Sequence, residues 1–409
     1  MQQFKRIQTF TSIVNSLSIT LFVTVLLLVA LEMSARIWYF FRTPPPVGLV
    51  AETNNQPAPT SPWNTTYETD DFDDFERDSK SLPSGFTWHP YVYWRRPLYD
   101  VPTMHVSQEG VRLTVQPFNE SAKNKIFMFG GSTMWGTGVR DKNTLPSLLA
   151  ERLAETGHRD FYITNFGESA YVSTQSLLTL LLQIRNGNIP QVAIFYEGVN
   201  DIASSHLQQK PGLTQHEGSI GFFQNAPRRV EQMSLLELLA MKSSLGKATG
   251  NLAIKIGLQK KPVETTPQAK PTIEALAEGT FQNFQETIAL ARALGKQYGF
   301  ETYFFWQPSV FTKNQRTKTE QKFTEDTERS MWKHLPKLME LVNSKVREKA
   351  PQLPDFIDLH SALNDDPRNL FTDIFHLTEK GNRKIAERIA EHLIRTSVKL
   401  NSPLHHHPK

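Results

Sequence analysis

Apolar runs and segments of helical periodicity alternate through most of the chain. Short apolar runs predict strands at residues 125–129, 161–166, 191–196, 301–306 and 355–359. Apolar positions on one helical face predict helices at residues 145–153, 173–184, 273–298, 326–349 and 378–397. Strands that alternate with helices are typical of a parallel sheet covered by helices on both faces. We therefore predict an α/β fold, a three-layer sandwich with a five-stranded and mostly parallel sheet.

The N-terminus has a different pattern, because no charged residue lies between Arg6 and Glu32. A helix of that length crosses the roughly 30 Å hydrocarbon layer of a bilayer, and the aromatic residues at 38–41 fit an interfacial belt. A cleaved signal peptide is the alternative, but no small-residue cleavage site precedes Arg36. We predict an uncleaved transmembrane helix within residues 1–42. Basic residues flank both ends almost equally, and we place the rest of the chain outside the cytoplasm.

The rest of the chain divides by composition into further segments. Residues 43–85, with a proline run and then an acidic run, are predicted to form a flexible acidic tether. Residues 86–121, rich in aromatic residues and arginine, are predicted to be an extended segment packed on the main domain. That domain covers residues 122–400, and residues 401–409 form a tail. The basic segment 202–270 interrupts it, either as a lid-like insertion or as a loosely packed surface excursion.

Composition excludes several classes of function. The formal net charge of +4 at pH 7 is too small to indicate nucleic-acid binding. The chain has no cysteine, which excludes disulfides, a thiolate nucleophile and cysteine-ligated metals. Three consecutive histidines at residues 405–407 have no accompanying ligand set. We predict no metal and no cofactor.

Residues with catalytic potential follow the predicted strands. Two glycines and Ser132 end the first strand, Gly167 follows the second, and Asn200 follows the third. Asp373 and His376 come after the fifth strand. Because the carboxyl ends of parallel strands meet at one edge of a sheet, we expect these residues to converge. Together they supply the groups that acyl transfer through a serine requires.

Each of these residue types has a role in that chemistry. Ser132 would be the nucleophile, with His376 as the base and Asp373, three residues earlier, orienting the imidazole. The N–H groups of Ser132 and Gly167 and the side-chain amide of Asn200 are the candidate oxyanion donors. The alternatives are a turn serine, a helix-capping histidine and a turn asparagine. The order of the residues after buried strands favours the catalytic interpretation.

The four blocks resemble the SGNH (GDSL-type) hydrolase family, in which Ser, Gly, Asn and His blocks follow in that order. Ser132, Gly167 and Asn200 match the first three blocks, and Asp373 with His376 matches the D-x-x-H block. The resemblance covers residues 125–393 apart from the insertion, and implies a flavodoxin-like sheet and an acyl-enzyme mechanism. Residues 89–112 also resemble the segment that precedes the domain in membrane-anchored or secreted bacterial members.

One position departs from the family pattern. The common Gly-Asp-Ser is Gly130-Gly131-Ser132 in this chain. Glycine fits a tight turn, and the missing carboxylate is not a member of the triad. We therefore expect catalysis to be retained without any hydrogen bond that the aspartate would make.

Three functions fit these observations. The first is a membrane-anchored serine esterase that removes a short acyl group from a carbohydrate or lipid. The second is an O-acyltransferase that uses the same triad to acetylate an extracytoplasmic polysaccharide, for which a multi-span acyltransferase partner would supply the donor. The third is a non-catalytic glycan-binding scaffold, against which the intact set of catalytic residue types argues.

Overall fold

A computed structural model describes residues 18–20, 22–24, 26–27, 29–34, 72–81, 86–117, 124–215, 217 and 270–401. Contacts divide the chain into two compact units, residues 1–52 with 221–269 and residues 53–220 with 270–409. In the first unit the described residues, 18–34 with gaps, are helical. Over the described ranges, no helix is both long enough and apolar enough to cross a membrane. The rest of the predicted anchor, residues 43–71 and 82–85 of the predicted tether, residues 118–121 of the predicted extended segment, most of the insertion and residues 402–409 lie outside the described residues.

The second unit is built on a five-stranded parallel sheet, so the predicted α/β class is confirmed. Its strands are β5 (Asn124–Gly130), β6 (Phe161–Asn165), β7 (Val192–Glu197), β8 (Glu301–Trp306) and β9 (Phe356–Asp358). Their order across the sheet is β6-β5-β7-β8-β9. Each strand lies within two residues of its predicted position.

The second unit contains helices before, between and after the strands, and some of them cover the two faces of the sheet. The helices are α1 (Phe72–Lys80), α2 (Ser132–Trp135), α3 (Leu145–Glu155), α4 (Ser173–Arg185), α5 (Val199–Gln208), α6 (Ile273–Tyr298), α7 (Lys318–Glu328), α8 (Leu335–Lys349), α9 (Glu379–Thr396) and α10 (Val398–Asn401). Ile126 and Met128 of β5 pack towards α3 and α9. Phe127 and Phe129 pack on the opposite face, towards α4, α5, α6 and α8. Successive side chains of a strand point to opposite faces, so the continuous apolar run at residues 126–129 fits a sheet covered on both sides.

The predicted helix at 326–349 is two helices, which corrects that prediction. Helix α7 ends at Glu328 and α8 begins at Leu335, with Pro336 in its first turn. Proline has no backbone N–H and fits the first turn of a helix better than its interior. Between the helices, the Ser330 hydroxyl accepts a hydrogen bond from the Trp332 N–H at 3.1 Å, which stabilises the turn.

The predicted start of the insertion at residue 202 is also wrong. Helix α5 continues to Gln208, and Ile202 and Ala203 are buried in the core. The helix ends where Gln209 takes a left-handed conformation, with a φ of 52°. The segment between α5 and α6 therefore starts about two helical turns later than the charge pattern indicates.

Helix α1 lies where a flexible tether was predicted, and this prediction is wrong over residues 72–80. Phe75 is buried with Tyr99, Met104 and Trp135. The buried Asp78 carboxylate accepts hydrogen bonds from Thr103, from the N–H at 3.1 Å and from the hydroxyl at 2.7 Å. This acidic residue is part of the packed unit and not of a solvated spacer.

Two antiparallel hairpins precede the sheet. Strands β1 (Thr87–His89) and β2 (Tyr93–Arg95) form the first, and β3 (Tyr99–Val101) and β4 (Met104–Val106) form the second. The Trp94 indole N–H donates to the Ser169 carbonyl at 2.9 Å, and the Tyr171 hydroxyl donates to the Trp94 carbonyl at 2.5 Å. The first hairpin therefore packs on the loop that follows β6, at the carboxyl edge of the sheet.

Candidate active site

Ser132 sits at the sharp turn between β5 and α2. It is the first residue of α2, directly after Gly131, and its side chain is half-buried. The Ser132 hydroxyl lies 2.7 Å from Nε2 of His376, across 244 residues of sequence. This is hydrogen-bond distance, so a base can take the serine proton as the oxygen attacks.

His376 is oriented by Asp373. The Nδ1 atom of His376 lies 2.5 Å from Oδ2 of Asp373. The other carboxylate oxygen accepts the N–H groups of Phe375, at 2.7 Å, and of His376, at 2.8 Å. The D-x-x-H spacing therefore closes a turn in which one carboxylate holds both the backbone and the imidazole.

The charges of this pair are coupled. Loss of water alone would raise the pKa of Asp373, but the charge and hydrogen bond of His376 outweigh it and lower that pKa to about 2. For His376, burial alone would lower the pKa, and the Asp373 carboxylate raises it above its ordinary value. Asp373 is thus ionised at neutral pH and stabilises a positive charge on the imidazole.

Asn200 lies beside the nucleophile turn. Its amide Nδ2 donates to the Tyr171 carbonyl at 2.8 Å, and its Oδ1 accepts from Gln215 Nε2 at 3.0 Å. A Cβ on Gly131 would overlap Nδ2 of Asn200 and would lie 3.1 Å from its Cγ. The departure from Gly-Asp-Ser therefore has a geometric reason in this chain, because the amide occupies the space of a side chain at position 131.

Two of the predicted oxyanion donors fit this arrangement. Ser132, as the first residue of α2, has an N–H that the helix itself does not use. The amide of Asn200 carries two hydrogens, and the Tyr171 carbonyl accepts one of them. Both donors lie at the same turn, because Asn200 packs against Gly131.

The third predicted donor, Gly167, has a different role in the structure. Its N–H donates to Oδ1 of Asn165 at 3.0 Å, so this hydrogen is already used. A Cβ on Gly167 would overlap the backbone of Met134 and Trp135. The position requires glycine because the loop after β6 touches the backbone of α2, which corrects the assignment of Gly167 as a donor.

Gln307 joins two of the catalytic blocks and was missed from the sequence. Its side-chain N–H₂ donates to the Thr133 hydroxyl and, at 3.1 Å, to the Tyr196 carbonyl. Its oxygen accepts the N–H of Val199 at 3.3 Å. Gln307 directly follows β8, so the rule that ligands lie beyond strand ends could have identified it.

Arg112, from the segment before the domain, holds the other end of α2. Its guanidinium donates to the carbonyls of Trp135, Gly136 and Val139 at 3.1, 2.5 and 2.7 Å. It also pairs with Asp141 at 2.8 Å and lies 4.4 Å from the centre of the Trp135 ring. The fully buried Arg112 thereby binds carbonyls at the end of the short helix that begins with Ser132.

Glu168 holds the same segment to the loop after β6. This buried carboxylate accepts the Arg96 N–H at 2.8 Å, and the Arg96 guanidinium donates to the Ser169 hydroxyl at 2.6 Å. Burial raises the pKa of Glu168, and the charge of Arg96 opposes the rise. The Arg96 guanidinium lies 4.6 Å from the centre of the Trp135 ring.

No group of His, Asp and Glu with the arrangement of a metal site occurs among the described residues.

Comparison with known proteins identifies the family. The sequence model of the GDSL-like lipase/acylhydrolase family matches residues 126–389, a region that includes Ser132, Gly167, Asn200, Asp373 and His376. The chain belongs to this family. Its members hydrolyse esters, and the chain is accordingly an ester hydrolase. No curated protein sequence matches the chain.

Solved structures of the same kind also match, with low sequence identity. A lipolytic G-D-S-L protein from Veillonella parvula is 13% identical, with a TM-score of 0.36 over 66% of this chain and 99% of that one. The acetyl xylan esterase AlAXEase is 15% identical, with a TM-score of 0.34 over 65% and 98%. A lipase/acylhydrolase from Enterococcus faecalis is 13% identical, with a TM-score of 0.33 over 66% and 95%.

Proposed function

We propose that this protein is a membrane-anchored serine esterase that cleaves a short acyl ester on a carbohydrate or lipid outside the cytoplasm. The observation that carries the proposal is the continuous hydrogen-bonded series from the Ser132 hydroxyl through His376 to Asp373. Such a series is the arrangement that activates a serine for acyl transfer.

The first half-reaction forms an acyl-enzyme. The Ser132 oxygen attacks the ester carbonyl carbon while its proton moves to Nε2 of His376. The tetrahedral intermediate collapses, the bond to the alcohol oxygen breaks, and His376 returns the proton to the leaving alcohol. The Asp373 carboxylate stabilises the imidazolium between these two proton transfers.

The second half-reaction releases the acyl group. A water molecule replaces the alcohol, gives its proton to His376, and attacks the same carbonyl carbon. Collapse of the second intermediate breaks the bond to Ser132 and returns the proton to its oxygen, which leaves a free carboxylic acid. In both steps the proposed oxyanion donors are the Ser132 N–H and the Asn200 amide, and one such donor typically contributes about 10²–10³ in rate.

The membrane anchor is proposed from the sequence. The uncharged run between Arg6 and Glu32 and the aromatic residues that follow it support the proposal. Fractionation of cells that express the full chain, with a carbonate wash, checks it. Recovery of the protein in the washed membrane pellet is expected, and recovery in the soluble fraction would contradict the anchor without affecting the esterase proposal.

Active-site labelling tests the chemistry. The full chain in detergent is treated with a fluorophosphonate, and the adduct is located by mass spectrometry. We expect labelling at Ser132 that is lost in Ser132→Ala and at least about 10²-fold slower in His376→Ala. Labelling at another serine, or no labelling of protein whose circular dichroism shows it to be folded, would contradict the proposal.

A further inference from the structure

The first hairpin carries two exposed aromatic residues and a third that is partly buried. Trp88 is 40% exposed and Tyr91 is 63% exposed. The ring of Tyr93 lies 5.8 Å from that of Trp88, centre to centre. We call Trp88, Tyr91 and Tyr93 the aromatic platform. Large exposed aromatic rings in one place mark an interaction site more often than isolated surface residues do.

The backbone of the platform is held in an unusual conformation. Tyr91 and Tyr93 have φ values of 70° and 75°, in the left-handed region that bulky residues rarely adopt. Between them, the side chain of Val92 is fully buried and its carbonyl accepts from Gln175 Nε2 at 2.9 Å. Val92 thereby anchors the turn while the ring of Tyr91 remains largely in solvent. The exposed ring of Tyr91 gains little free energy from burial that could offset this backbone strain. Backbone strain of this kind is typical of functional sites.

The platform is connected to the catalytic turn by direct contacts. Trp94, the neighbour of Tyr93, packs edge-on against Tyr171 with ring centres 5.6 Å apart. The carbonyl of Tyr171 accepts the amide of Asn200, which in turn packs against Gly131. The hairpin also contacts the loop after β6 through Ser169. The hairpin that carries the platform therefore packs on the loop whose Tyr171 carbonyl binds Asn200, at the carboxyl edge of the sheet.

The shape and charge of the platform discriminate between partners. An acyl chain requires a concave apolar pocket that encloses it, whereas Trp88 and Tyr91 are 40% and 63% exposed. A bilayer with anionic lipids requires exposed cations, whereas Arg95 is buried and the Arg96 guanidinium donates to the Ser169 hydroxyl at 2.6 Å. A sugar ring has a flat C–H face that packs on an aromatic ring and hydroxyl groups that remain in water. We propose that the aromatic platform binds a pyranose ring of the substrate, so that a carbohydrate carries the ester to Ser132.

This inference rests on the proposed esterase function and narrows its substrate class to glycans. The test compares the full chain with Trp88→Ala, Trp88→Phe and Tyr91→Ala on two kinds of substrate. One substrate is 4-nitrophenyl acetate, which has no sugar, and the others are acetylated xylo-, manno- and chito-oligosaccharides. Tyr298→Ala is the matched control, because Tyr298 is 46% exposed at the end of α6, just before β8 begins at the opposite edge of the sheet.

The expected result is a loss confined to the oligosaccharides. For at least one of them, Trp88→Ala and Tyr91→Ala should lower kcat/KM about tenfold, mainly by raising KM, as removal of a stacking ring does. Trp88→Phe should retain more activity than Trp88→Ala because it keeps a flat ring. All variants should keep kcat/KM for 4-nitrophenyl acetate within about twofold of the unmodified chain. Equal losses on both kinds of substrate, or no loss on any oligosaccharide, would overturn the inference.

A binding measurement separates this inference from the esterase proposal. Ser132→Ala protein is titrated with the unacetylated oligosaccharides while tryptophan fluorescence is recorded. The titration is then repeated with the double variant Ser132→Ala/Trp88→Ala. A saturable change that requires Trp88 supports the platform even if Ser132 is not labelled by fluorophosphonate. Absence of any change with all three glycans, or Trp88-dependent binding to phosphatidylglycerol vesicles instead, would overturn it.

Discussion

The side-chain amide of Asn200 packs against the α-carbon of Gly131, in the space that a Cβ would occupy. We expect Gly131→Ala to displace the amide and to lower kcat about 10²–10³-fold, as Asn200→Ala should. Because both changes remove the same donor, the double variant should be little worse than either single one. Steady-state kinetics on 4-nitrophenyl acetate, with circular dichroism to check folding, measure this. If the double variant instead lost kcat by the product of the two single losses, Gly131→Ala would not act by displacing the Asn200 amide.

The Asp373–His376 pair sets the pH dependence of activity. Only neutral His376 can accept the serine proton, and Asp373 raises the pKa of His376 above about 6.5. We expect kcat/KM to fall as pH decreases through that raised value. In Asp373→Asn the acid limb should move to lower pH and kcat should fall by up to about 10⁴-fold. If the acid limb of the kcat/KM profile stayed at the same pH in Asp373→Asn, the assignment of Asp373 as the partner of His376 would be contradicted.

The same two residues stabilise the folded state in different pH ranges. Because folding lowers the pKa of Asp373, its ionised carboxylate stabilises the folded state at pH values above the ordinary pKa of aspartate. This contribution is lost as the pH falls towards about 2. Because folding raises the pKa of His376, its protonated imidazole stabilises the folded state at pH values below about 6.5. This contribution is lost as the pH rises through the pKa of His376 in the folded state. Urea unfolding of the full chain and of His376→Ala from pH 4 to 9 should give free energies that differ most at acidic pH. A difference that grows towards alkaline pH would contradict this sign.

A fully buried ion pair supports the loop that leads to Asp373. Lys313 Nζ lies 2.6 Å from Glu320 Oε2 and donates to the Arg368 carbonyl at 2.5 Å, while Glu320 Oε1 accepts the Leu370 N–H at 2.9 Å. We expect Lys313→Met to lower the free energy of unfolding by about 3–5 kcal/mol, because it leaves a buried carboxylate without its cation. Urea denaturation measures the change. Lys337→Met is the control, because Lys337 and its partner Glu340 are both exposed, and it should change stability by less than about 1 kcal/mol.

Gln307 should affect kcat more than KM. Gln307→Leu removes the hydrogen bonds that join Thr133, Tyr196 and Val199, so the nucleophile turn and the start of α5 lose their link. We expect about a tenfold fall in kcat, with KM for 4-nitrophenyl acetate unchanged. Gln282→Leu, at an exposed position of α6, is the control and should have no effect. A change confined to KM would indicate that Gln307 contacts substrate instead.

The sequence predicts the sheet and the order of the site residues well, for a physical reason. Buried parallel strands are continuous apolar runs, and glycine or polar residues at their ends are visible in one dimension. The position of Gln307 directly after β8 marks it as a candidate site residue, but the groups that Gln307 and Arg112 bind depend on the folded backbone, and no local sequence pattern encodes them. Gly167 illustrates the same limit. The sequence shows a glycine after the second strand, but only the structure shows that its N–H binds Asn165 and that close packing on α2 leaves no room for a side chain.

Arg112 and Arg96 lie outside residues 126–389, which the family model matches, yet both contact Trp135 in the helix that carries the catalytic serine. A fragment cut at the family boundary would lose these guanidinium groups and leave the carbonyls of Trp135, Gly136 and Val139 without the donor that Arg112 supplies. Helix α1 packs on the same tryptophan through Phe75. The smallest autonomous catalytic unit therefore begins before Phe72, and chimeras or truncations designed for expression should take their N-terminal junction there.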